Sequence, residues 1–304
     1  MRKTIVSSAF AATIGLAAAS MCYAGGVLPA DDDEELVPTG KGWGQRVPPG
    51  QEKQPPGNAK PQGSNGIVYH GGPVILGTTN AYYIWYGNWS GNTATTILTD
   101  LASSIGGSPY FNINTTYYNG SNQHVSNAVI LAKSTNDSYS QGTALSDSAI
   151  QAIVAAQNPT DTNGVYFVLT DATVNETSGF CTQYCGWHTD GSISGSDIKY
   201  AFIGNPDRCP SSCEEQTTSP NGNAGADGMA SIISHELEEA VTDPDLNAWY
   251  DTRGEENADK CAWTFGTEST ASNGSKYNQT FGGTHYLIQQ NWVNASGGYC
   301  STSY

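Results

Sequence analysis

Hydrophobic and polar positions along this chain follow two periods. Between Thr93 and Ile105, the apolar residues Ile97, Leu98, Leu101 and Ile105 recur at helical spacing. Ser146 to Gln157 does the same with Ile150, Ile153 and Val154. Gly164 to Thr170 is instead an unbroken apolar run between turn residues, the pattern of a buried strand. Strands are also predicted at Pro73–Leu76, Ala81–Trp85, Val125–Ala132, Lys199–Gly204 and Tyr286–Val293. A helix is predicted over Asp227–Thr242, with Pro244 just past its end. Helices and strands alternate, so the expected class is α/β, a mixed sheet with flanking helices. Residues 66–304 are enough for one core.

The first part of the chain has a different character. Arg2 and Lys3 precede a mostly apolar, Ala-rich run from Thr4 to Met21, and Cys22-Tyr23-Ala24 offers small residues where a signal peptidase cuts. Residues 1–24 therefore read as a signal peptide. Met21 stands where a lipoprotein would carry a small residue. The run is too short and interrupted for a membrane span, so no membrane association is expected after cleavage. Residues 25–65 hold the acid run Asp31-Asp32-Asp33-Glu34-Glu35 and then a Pro/Gly/Gln-rich tract. Such a composition cannot bury enough apolar surface to offset chain entropy, and it reads as a disordered linker.

The cysteines support an exported protein. Beyond the leader there are Cys181, Cys185, Cys209, Cys213, Cys261 and Cys300, an even set that reads as a disulfide framework of open connectivity. The competing reading is a four-thiolate zinc site from the two C-x3-C pairs, although such sites normally use two-residue spacings. Cys261 and Cys300 are expected to tie the C-terminal strand to the domain. A formal charge of −16 argues against nucleic acid and anionic membranes as partners.

The chemically informative segment is Ser234-His235-Glu236-Leu237-Glu238-Glu239. On a helix at ~100° per residue, His235 and Glu239 lie one turn apart, about 40° from each other. That spacing places two ligands on one metal, and Glu236 then stands where a general base would, as in a variant of H-E-x-x-H. Met229, Ile233, Leu237 and Ala240 form the apolar stripe, which leaves Glu238 on the opposite, solvated side. A polar face with a hydrogen-bonded histidine is the bland alternative. Third-ligand candidates are Asp259 and Glu256, which follow Glu239 at a zinc-peptidase spacing, together with Asp245 and His188. Zinc is the first expectation; the anionic ligand set keeps calcium and manganese in play. A catalytic site of this kind should line a cleft.

Several blocks occur in a consistent order: Tyr69-His70-Gly71-Gly72-Pro73, Ile84-Trp85-Tyr86-Gly87-Asn88-Trp89-Ser90, Cys185-Gly186-Trp187-His188, Gly225 to Glu239, Asn247-Ala248-Trp249-Tyr250 and Glu256 to Cys261. In these the chain resembles the EXORDIUM, or phosphate-induced protein 1, family from Val68 to Cys300. The resemblance implies an extracellular or cell-wall-associated protein, linked in plants to growth and nutrient responses. It implies no particular reaction. Matched residue by residue, it marks His70, His188, His235, Glu236, Glu239 and Asp259 as the polar positions of interest and lowers the standing of Asp245. Two functions are therefore expected to compete. One is a metal-dependent hydrolase of zincin-like architecture acting on peptides. The other is a non-catalytic extracellular protein binding wall carbohydrate, a reading to which seven Trp and seventeen Tyr lend aromatic surface.

Overall fold

The computed structural model describes residues 66–304, so the leader and linker expected at 1–24 and 25–65 lie outside the described residues. The centre of the fold is a five-stranded sheet. Its strands are β1 (Thr79–Tyr86), β2 (Val129–Asp137), β3 (Gly164–Thr170), β4 (Gly186–Ile193) and β5 (Ser196–Ile203). They lie in the order β2-β1-β3-β5-β4, all parallel except β4, which pairs antiparallel with β5. The expected mixed α/β sheet is present. β3 is buried along its whole length, as its uninterrupted apolar run requires of a central parallel strand.

Among the described residues, the three helices longer than two turns flank the sheet: α1 (Ala94–Ser104), α2 (Asp147–Ala155) and α3 (Ala224–Thr242). The Ser146 side chain caps α2 by accepting the Ala149 N–H, and Asn223 caps α3 by accepting the Ala226 N–H. Gly186 on β4 faces Ile232 of α3, whereas Gly191 faces Gln151, in the middle of α2. Positions an odd number apart on a strand point to opposite faces, so α2 and α3 cover opposite sides of the sheet. α1 packs beside α3.

Three expected strands differ. Val125–Ala132 joins the sheet only from Val129 and runs on to Asp137, because Val125 instead gives its N–H to Tyr117 O in the preceding loop. Pro73–Leu76 is irregular; Pro73 has no amide proton to give a ladder, and the Ile75 N–H donates to Val241 O at the end of α3. The segment predicted as one strand over Tyr286–Val293 is two short ones, Thr284–Tyr286 and Asn291–Val293, in separate hairpins.

All six cysteines from Cys181 onward are in disulfides: Cys181–Cys209, Cys185–Cys213 and Cys261–Cys300. The thiolate-zinc alternative is thereby excluded. The first two bridges run side by side from the entry of β4 to the segment after β5. The third ties the strand Tyr299–Ser301 to the turn Asp259–Cys261, as expected of the C-terminal pair.

Candidate metal centre

α3 is buried on every side, with all residues from Gly225 to Thr242 shielded from solvent. A helix packed all round has no solvated face, and this overturns the expectation for Glu238. Its carboxyl is 0% exposed, and neither oxygen makes a hydrogen bond. Burial holds it well above the usual carboxylate range.

The opposite side of α3 meets β4. Gly186 and His188 share one face of that strand, two residues apart. A Cβ on Gly186 would sit 2.4 Å from Ile232 Cγ2 and 3.2 Å from Glu236 Oε1. The glycine therefore lets helix and strand approach closely enough for His188 to reach the helix carboxylates. Its Nδ1 lies 3.5 Å from Glu236 Oε2 and 3.4 Å from Glu239 Oε2. Its Nε2 lies 3.6 Å from Glu256 Oε1.

His235 and Glu239 are one turn apart, and His235 Nε2 approaches Glu239 Oε1 at 3.0 Å and Asp259 Oδ1 at 3.7 Å. The loop that supplies Asp259 and Glu256 is fastened to the helix. The Asp259 N–H donates to Glu239 Oε1 and the Asn257 side-chain amide donates to Glu238 O. The Cys261–Cys300 bridge closes the loop two residues beyond Asp259. Thus His188, His235, Glu236, Glu239, Glu256 and Asp259 converge in one place, from a strand, a helix and a stapled loop.

Two other candidates fall elsewhere. Asp245 pairs with Lys199 at 3.0 Å. His70 stacks on Tyr250, its Nε2 3.1 Å from the Tyr250 carbonyl oxygen. The expected cleft is also not found here: His188, Glu236, Glu239 and Glu256 are 0% exposed and His235 2%. Two cavities, of about 140 and 690 Å³, are lined by Tyr82, Asp161 and Tyr166 and by Asn175, Phe180 and Arg208 respectively, and neither includes the cluster.

Among themselves these groups distribute protons unevenly. Burial disfavours a charged His188, but the carboxylates of Glu256, Glu236 and Glu239 outweigh it and hold the ring well above the ordinary imidazole range. His235 is raised in the same way, by Glu239 and Asp259 against its burial. Burial raises Glu236 and Glu256. Glu239 goes the other way, to about 2, because the two histidines overcome its burial.

Both nitrogens of His188 and of His235, together with Glu239 Oε2 and both Glu256 oxygens, lack hydrogen-bond partners although buried. Buried polar atoms of this kind are rare, and a bound ion is one of the few things that accounts for them. Two donor sets have the reach to take one: His188 with Glu236 and Glu239, and His235 with Glu239 and Asp259. Nitrogen and carboxylate donors within 4.8 Å of one another fit a divalent cation. Asp243, which closes α3 by accepting the Asn247 and Ala248 N–H groups, has its carboxyl pushed up to about 6 by burial. Sequence reasoning did not single it out, because its role depends on a turn geometry that only the fold reveals.

The chain's likeness to known proteins spans the residues that build this architecture. Residues 67–302 match the family described as phosphate-induced protein 1 conserved region. Protein EXORDIUM-like 5 of Arabidopsis thaliana is 32% identical over 283 residues, a match covering 76% of this chain and 77% of that protein. EXORDIUM-like 3 of the same plant is 32% identical over 281 residues, covering 76% and 82%. Protein PHOSPHATE-INDUCED 1 of Nicotiana tabacum is 25% identical over 221 residues, covering 63% and 69%. No solved structure matches the chain. A family match across nearly all the described residues, carried through the strand, helix and loop that meet at the cluster, means that the chain belongs to the EXORDIUM, or phosphate-induced protein 1, family.

Proposed function

We propose that this chain is a secreted metalloprotein of the EXORDIUM family, whose buried cluster holds a divalent cation, zinc first among them. One observation carries the reading: His188 and His235 are buried among carboxylates with no hydrogen bond at any ring nitrogen. A buried polar group without a hydrogen bond costs about 1–3 kcal/mol, a cost that ligation removes. Imidazole donors favour zinc, and the carboxylates leave manganese and calcium as the next choices.

The ion's role in this reading is structural. Catalytic zinc sites keep a position open to water and substrate, whereas this donor set is closed from solvent. The protein then acts outside the cell without catalysis, as an interaction partner for peptide or cell-wall carbohydrate. The three disulfides suit that compartment, and among the described residues no helix is long and apolar enough to cross a membrane.

A second reading, a metal-dependent hydrolase acting on peptides, is favoured by the position of Glu236 beside the same ligands. When bound there, zinc would supply Lewis acidity and lower the pKa of water. Glu236 would take the proton.

Elemental analysis of protein purified without added metal tests the proposal. At least one equivalent of a divalent cation is expected, with a melting temperature that falls after chelation. No divalent cation, before or after incubation with zinc, manganese or calcium, would overturn it. Peptide hydrolysis that disappears in Glu236→Gln while the metal is retained would decide for the hydrolase.

A further inference from the structure

The metal reading of the cluster leaves open how many ions it takes. We infer that the cluster is built for two divalent cations bridged by the Glu239 carboxylate. One is taken by His188, Glu236 and Glu239, the other by His235, Glu239 and Asp259. This rests on the proposed metal reading of the same site and goes one step beyond it.

The geometry of Glu239 is the first ground. Its two oxygens are directed to different imidazoles, Oε2 lying 3.4 Å from His188 Nδ1 and Oε1 lying 3.0 Å from His235 Nε2. A carboxylate serving one ion would turn both oxygens, or one, to the same place. A carboxylate with one oxygen in each of two donor sets is the arrangement that spans two ions ~3.5–4 Å apart.

The second ground is the completeness of each set. Each has its own histidine, its own further carboxylate and a donor from outside α3, His188 from β4 or Asp259 from the stapled loop. Glu239 is the one residue common to both. Both histidines are buried and make no well-formed hydrogen bond at either ring nitrogen, facing only carboxylates, so each set contains an imidazole placed to ligate.

Glu256 completes the first set in a different capacity. It faces Nε2 of His188, the ring nitrogen turned away from Glu236 and Glu239. A ligating histidine commonly offers its other N–H to a carboxylate, which fixes the ring and its tautomer. Glu256 is thus a positioning residue.

Charge is the third ground. Ligand imidazoles are neutral. Glu236, Glu239, Glu256 and Asp259 then bring four negative charges into the core, which two divalent cations match.

Metal content of the intact protein, loaded with excess zinc and then desalted, separates the cases. Two equivalents per chain are expected, with one retained in His188→Ala, one in His235→Ala and none in Glu239→Ala. One equivalent in the unsubstituted protein overturns the two-ion site and leaves the single-metal reading standing, whereas none overturns both. Should the variants fail to fold, anomalous scattering from zinc in crystals of the unsubstituted protein decides. Two peaks ~3.5–4 Å apart support the bridge, and a single peak overturns it.

Discussion

Replacing Cys261 and Cys300 together by serine should lower stability by an amount that the fold allows to be worked out. The bridge joins residues 39 apart in sequence. Closing a loop of that length removes about 13 cal/mol/K of chain entropy from the unfolded state, or about 3.9 kcal/mol at 25 °C. In a domain of this size 1 kcal/mol moves the midpoint by about 2–4 °C, so the melting temperature should fall by about 8–16 °C. The native contacts around the bridge are otherwise kept, because the strand Tyr299–Ser301 still pairs with Asn291–Val293. Scanning calorimetry of both proteins under non-reducing conditions and with excess zinc measures the difference. Metal content in the same samples shows whether Asp259, two residues from Cys261, still holds its place. A fall of under about 3 °C would refute the argument, since it would mean that the bridge closes little that packing does not already hold.

Other outcomes follow from the buried helix and its neighbours. Glu238 keeps its proton in the folded state above the pH at which the unfolded chain loses it, near 4.5. The native state therefore binds more protons, and stability should decline as pH rises from that value. Glu238→Gln removes that group's share of the decline, making it shallower, and should be more stable by about 1–3 kcal/mol at pH 8 in urea titrations; an unchanged slope would contradict this. Gly186→Ala should cost about 1–3 kcal/mol by overpacking against Ile232 and should reduce metal content, both read by denaturation and elemental analysis. Asp245→Asn, which breaks the pair with Lys199 while that lysine keeps Asp197, should cost at most about 1 kcal/mol and leave the cluster's metal content unchanged.

How much of this was legible beforehand depended on whether a signal was local. Gly164–Thr170 was legible to the residue, because a strand buried on both faces needs an unbroken apolar run. β4 escaped notice: Gly186, Gly191 and the polar Thr189 and Asp190 hide its period, and the fold supplies what the sequence lacks by burying it against α3. The helix was found, but its period could mark only the more apolar face, and the burial of Glu238 came from packing on the other side. His235 and Glu239 were legible because one turn of helix is a local distance. His188, Glu256 and Asp259 could be nominated but not ranked, since which of them meets the helix is decided by the strand order and by the loop closed at Cys261. The pairing of the other four cysteines was likewise undetermined until the β4–β5 register was known.

That register bears on the order in which the chain can assemble. Gly186 lies opposite Ile203, and the Gly204 N–H bonds Cys185 O, so the hairpin itself brings the cysteine pair before it alongside the pair after it. Everything needed for both bridges has been synthesised by Cys213, before α3 begins at Ala224. Domains translated from the N-terminus are assembled in that direction, so oxidation can precede docking of the helix. The helix would then meet a hairpin already locked, with His188 held in place by covalent bonds formed elsewhere. A chain kept reduced would have to position strand and helix together. Refolding of reduced, metal-free protein should consequently be slow and require an oxidant, whereas protein unfolded with its bridges intact should recover readily.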